Sequence, residues 1–161
     1  MEFAFSDEEF EQRLDQQKLI TKNYVDKAFN YWLEDRDDYR VPFPQYMLDE
    51  LQECTLRLFL EWTFQIDDQD SITAELLSEK FNEIIQMVGL SLARTDEDRL
   101  TIQYPGLPRL GDPVHFHSSE SECRGTVIQR ELVDDEGKMA IHVQAQLDAG
   151  EEYETWFDLE D

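Results

Sequence analysis

The chain has 161 residues, enough for one good core or two small ones leaning on each other, which excludes two large independent domains. Apolar residues make up 40% and aromatics 12%, so enough apolar surface exists to offset the entropy of ordering, and intrinsic disorder is disfavoured. Thirty-eight acidic residues stand against 14 basic ones, a net charge of −24 that repels nucleic acid phosphates and anionic lipid and so disfavours direct DNA, RNA or membrane-surface binding.

The acidic excess is spread along the chain: residues 1–97 carry 23 acidic and 9 basic groups, residues 98–161 carry 15 and 5. Such a field attracts a basic protein partner, and it also suits a nucleic-acid mimic that occupies a cationic site. The plainer alternative is solubility or adaptation to salt, which raises Asp and Glu and lowers Lys, of which there are five. The start MEFAFSDEEF lacks a basic n-region and no apolar run approaches the length of a bilayer crossing, so a cytoplasmic location is expected. Two cysteines, Cys54 and Cys123, far apart, suggest neither a disulfide framework nor a four-ligand zinc site.

In chain order, Ser6 is placed to cap a first helix from about Asp7 to Leu19, with Glu9 closing a capping box and Phe5 stapling onto Phe10. Tyr24, Val25, Ala28, Phe29, Trp32 and Leu33 form one apolar stripe, which predicts a second helix over 22–36. DDYRVPFP breaks the pattern, and Pro44 suits the first position of a third helix. There Met47, Leu51, Cys54, Leu58 and Trp62 are helically spaced, while Leu56 to Phe64 also alternate with period two. Helix is favoured, with strand left open for 55–65. A fourth helix follows IDDQDS, capped by Ser71 or Thr73, with Leu76, Leu77, Phe81, Ile84, Ile85 and Val88 inward and Gly89 near its end.

After residue 95 the pattern turns to short β-prone runs: Leu100–Tyr104, Val114–His117, Thr126–Leu132, Met139–Leu147 and Tyr153–Phe157, with turns at Asp135-Glu136-Gly137 and Asp148-Ala149-Gly150. The expected fold is therefore α+β: an N-terminal helical bundle of about four helices over 1–95, then a five-stranded antiparallel β-barrel over 98–161 packed on it. The order Gly-Asp-Pro-Val, Gly-Thr-Val-Ile, a hairpin and a late Trp-Phe pair resembles SH3-like barrels over residues 111–157. That resemblance implies a fold and no activity.

Three constellations invite a functional interpretation. His115 and His117 flank Phe116, so a strand points both imidazoles to one face, and His142 on a neighbouring strand offers a third metal ligand. Glu120 or Glu122 would then mimic the cupin H-x-H-plus-Glu set, but the glycine spacing is wrong, no second cupin motif follows and about sixty residues cannot build that barrel. Alternation instead turns the imidazoles to the polar face, and no metal or other cofactor is expected. Asp68, Asp70 and Glu79 fit positions 1, 3 and 12 of a calcium loop, but Ile72 stands at position 5 and Thr73 where the turn needs glycine. No nucleophile elbow or phosphate cradle is present, so no enzymatic activity is expected.

The third is the C-terminal stretch, where Glu151, Glu152 and Glu154 surround Trp156, an aromatic anchor ringed by steering carboxylates. Asp35, Asp37 and Asp38 beside Tyr39 are candidates to extend such a surface. The expected function is a non-enzymatic, acidic interaction or regulatory protein that binds a basic protein partner, as an inhibitor, an immunity-type protein or a nucleic-acid mimic. A metal-binding protein or enzyme built on the three histidines, and an acidic protein whose charge reflects only salt, are the alternatives.

Overall fold

The computed structural model describes residues 2–117 and 122–159. The fold is α+β, with five α-helices followed by a curled, four-stranded antiparallel sheet, and it divides into two units, Met1–Pro105 and Gly106–Asp161.

In the first unit the helices are α1 (Asp7–Gln16), α2 (Leu19–Leu33), α3 (Leu48–Phe64), α4 (Ala74–Leu92) and α5 (Asp96–Gln103). Hydroxyl caps start three of them. Ser6 accepts from Glu9 N, Thr73 from Leu76 N and Thr95 from Asp98 N, each satisfying an amide that the first turn leaves without a partner. Pro44 precedes a 3₁₀ turn over Gln45–Met47 that runs into α3, and the alternating stretch 55–65 is helical to Phe64.

Helices α3 and α4 supply most of the core: Leu51, Phe59, Leu77, Phe81, Ile85 and Val88 are all fully buried. Phe81 meets the rings of Tyr24, Phe29 and Phe59 at centroid distances of 5.9, 5.2 and 5.2 Å, each nearly perpendicular. Edge-to-face contacts of this kind add about 0.5–1.5 kcal/mol each beyond area burial.

This is not the expected four-helix bundle. Helix α1 buries no residue and α5 is only eight residues long, so neither supplies the long apolar stripe that a bundle member needs. Helix α5 also replaces the first expected strand, Leu100–Tyr104. Its capping threonine and the acids Asp96, Glu97 and Asp98 in its first turn favour helix, and Ile102 joins the helical core. The first unit runs to Pro105 and includes α5.

Gly89 lies inside α4 and does not end it. A Cβ there would meet the Phe43 ring at 2.6 Å, so the missing side chain lets the loop before α3 seat its phenylalanine against the helix.

The second unit holds β1 (Pro113–His117), β2 (Glu122–Asp135), β3 (Lys138–Leu147) and β4 (Glu152–Asp158), paired in sequence order, four strands and not five. Glu136 and Gly137 make the β2–β3 turn with φ of 52° and 86°, the two left-handed positions of a two-residue hairpin. On the inner face Val127, Ile141, Val143, Ala145 and Leu147 are buried. Between Val127 and Gln129 the register slips by one residue, and this bulge turns Arg130 inward opposite Val143. Arg130 is 6% exposed, and its guanidinium donates to the carbonyl of Pro108 at 2.8 Å.

Gly89→Ala trades about 1 kcal/mol of helix propensity against an overpacking cost of about 1–3 kcal/mol. The expected outcome in thermal unfolding is a net lowering of Tm, by about 4–8 °C per kcal/mol lost, restored by adding Phe43→Leu.

Candidate functional site

The outer face of β4 follows from the alternation of a strand. Glu152, Glu154, Trp156 and Asp158 share it, while Thr155 and Phe157 turn inward opposite Val143 and Ile141. Trp156 is 56% exposed, the most exposed aromatic of the sheet unit among the described side chains. Its indole stacks on His142, its cross-strand partner, with ring centroids 4.3 Å apart and planes at 29°. One face of the indole is thereby fixed and the rest is open to solvent.

The acids around it reach diagonally across the ladder. Glu154 Oε2 lies 3.7 Å from His142 Nε2, outside hydrogen-bond distance, and Gln144 donates to Glu152 Oε2 at 2.6 Å. On the far side of His142 stands Glu131 of β2, also exposed. A row of three residues, Glu131, His142 and Trp156, thus crosses three strands with carboxylates on its flanks.

Of the four residues expected here, the fold brings Glu152, Glu154 and Trp156 together. Glu151 precedes the strand on the opposite phase, where its carbonyl accepts from Leu147 N at 2.7 Å and closes the hairpin. Asp158 and the supporting pair His142 and Glu131 also belong to the patch. Asp158 was legible from period-two spacing; the other two needed the strand register.

Asp35, Asp37, Asp38 and Tyr39 lie in the helical unit, just after α2. Arg36 and Tyr39 form a two-way backbone pair, 2.7 and 3.1 Å, with Asp37 and Asp38 exposed at the turn between them. Arg36 lies against both rings of the Tyr31–Tyr39 stack, 4.3 and 4.6 Å from their centroids. Tyr39 donates its hydroxyl to the Trp32 carbonyl at 2.9 Å, and Asp35 accepts from Val41 N at 2.8 Å. Two of the four therefore stabilise the loop locally, and the two turn acids face water.

The histidines are separated by the register. His115 pairs with Arg124 and His142 with Glu131, seven residues further along β2, about 20 Å at strand rise. The side chain of His117 and the whole of Glu120 lie outside the described residues, as do the side chains of Glu122 and Cys123. Among the described residues no group of three or more His, Cys, Asp or Glu side chains is placed to hold a metal ion. In the former calcium-loop frame Asp68 accepts from Asp70 N at 3.1 Å, capping a 3₁₀ turn over Gln69–Ser71.

A groove of about 340 Å³ runs between α2 and α4, lined by Tyr24, Lys27, Ala28, Tyr31, Trp32, Ser78 and Asn82. Its one charged lining residue is Lys27, and Trp32 Nε1 donates to Asn82 Oδ1 at 3.0 Å within it. Among the described residues no helix is long and apolar enough to cross a membrane.

Cys54 is buried on α3, and burial, aided by Glu50 and Glu53, pushes its thiol above the usual cysteine range. Because the thiolate is the reacting form, in a Cys123→Ser background at pH 8 a thiol reagent is expected to modify native Cys54 at least about tenfold more slowly than the urea-unfolded chain. Equal rates by absorbance would show that the site is open. Comparison of the chain with family models, with curated proteins and with solved structures found no match to any of them.

Proposed function

We propose that the protein is a non-enzymatic interaction or regulatory protein of the cytoplasm that binds a basic protein partner through the outer face of β4. The observation that carries this reading is Trp156, exposed, stacked on His142 and bracketed along the strand by Glu154 and Asp158. An aromatic ring already stacked on a neighbour loses less side-chain entropy on contact than a free one, and exposed aromatics of this kind dominate interface energies. The carboxylates around it speed encounter with a cationic surface and disfavour anionic ones.

The net charge of −24 supports the same partner class at long range. The turn acids Asp37 and Asp38 are a second negative site, on the helical unit. Occupation of a cationic site on that partner is the proposed mode of regulation.

The experiment is affinity capture at low salt with wild-type protein, Glu152→Lys/Glu154→Lys and Trp156→Ala, followed by titration of the captured protein. Wild type is expected to retain a protein of high isoelectric point. Trp156→Ala is expected to weaken that complex by about 30-fold or more, the range of an anchor residue. The double charge reversal is expected to slow association and to flatten its dependence on salt. Unchanged binding by both variants would sink the assignment to this face.

A further inference from the structure

Resting on that reading of the β4 face, we infer that the free edge of β4 accepts an extended basic segment of the partner as an added, antiparallel fifth strand. The phase of the β3–β4 ladder sets which backbone groups are available. Leu147 N donates to the Glu151 carbonyl at 2.7 Å and Leu159 N donates to the Met139 carbonyl at 3.0 Å. Hydrogen-bonded positions recur at every second residue of an antiparallel pair, so Tyr153, Thr155 and Phe157 turn their peptide groups toward β3. Glu152, Glu154, Trp156 and Asp158 therefore aim theirs the other way, and among the described strands β4 pairs with β3 alone. The edge offers these outward-facing positions along about 20 Å.

The same four residues carry their side chains on the outer face, so one incoming strand meets backbone and charge together. Residues of that strand that bond to Glu152, Glu154 and Asp158 stand directly opposite the carboxylates, while the residues between them lie on the inner face beside Tyr153, which is 43% exposed. The fitting segment alternates basic and apolar residues.

Charge decides the occupant. A second copy pairing antiparallel about Thr155 sets Glu152 opposite Asp158 and brings together two chains of net charge −24, which opposes self-pairing. Lysine or arginine at every second position converts each of those contacts to attraction. A basic side chain opposite Trp156 gains contact with the indole as well, whose other contact is the stack on His142.

The full-length protein is titrated by calorimetry at low salt with an end-blocked, eight-residue peptide alternating lysine and valine, and with its counterpart methylated on every lysine backbone nitrogen. The two carry equal charge. Strand addition requires the methylated peptide to bind at least tenfold more weakly, and requires slowed amide exchange at Glu152, Glu154 and Trp156 in the complex with the unmethylated one. Equal affinities, or binding without protection of these amides, overturn strand addition while leaving an acidic, tryptophan-centred docking face intact. Failure of both peptides to bind removes the docking face as well, and a salt-resistant β4-paired dimer of the free protein would assign the edge to self-association.

Discussion

Thirty-eight carboxylates have to stay hydrated, and most of the architecture follows from that requirement. Of the carboxylates, one, Glu61, is buried among the described residues, and its Oε1 accepts from the amide of Phe5 at 2.9 Å. The rest confine each helix to a narrow apolar stripe, and a narrow stripe makes a stable core only if its residues are large. Phe59 and Phe81 at the centre of the helical unit, with Tyr24, Phe29 and Trp62 against them, are the response.

The same requirement shapes the sheet through a different periodicity. A strand has two faces, so acids placed at every second position of β4 line one face of the sheet. That face is the candidate site, and its character is fixed by phase: Glu152, Glu154 and Asp158 share a side with Trp156 because they are an even number of residues away. The negative potential and the exposed aromatic are thus a single consequence of alternation. In a chain with this charge an exposed edge strand is protected from pairing with its own copies.

Local signals were legible where the chemistry is local. Ser6 as a cap, Glu136-Gly137 as a hairpin turn, and the alternation of Met139–Leu147 each depend on a few neighbouring residues, and the structure has them where the letters indicate, while of Ser71 and Thr73 it is Thr73 that caps α4. Leu100–Tyr104 misled because its apolar residues alternate like a strand; the deciding features were Thr95 and the acids after it, which lie upstream of the run. Gly89 resembles a helix terminator until Phe43, more than forty residues away, is seen against it. Spacing along the chain says nothing of register, so the place of His142 opposite Trp156 and away from His115 is visible only in the structure.

The slip at Val127/Gln129 has a consequence for how the chain tolerates change in length. Ile128 is the unmatched residue there, 42% exposed, and the ladders on either side of it already run in step with β3. Every other link of the paired segment is committed, because losing one would invert all the side chains beyond it; this one is slack. Shortening the chain at Ile128 leaves Arg130 facing inward and Glu131 outward, and what disappears is the local coiling that an extra residue imposes.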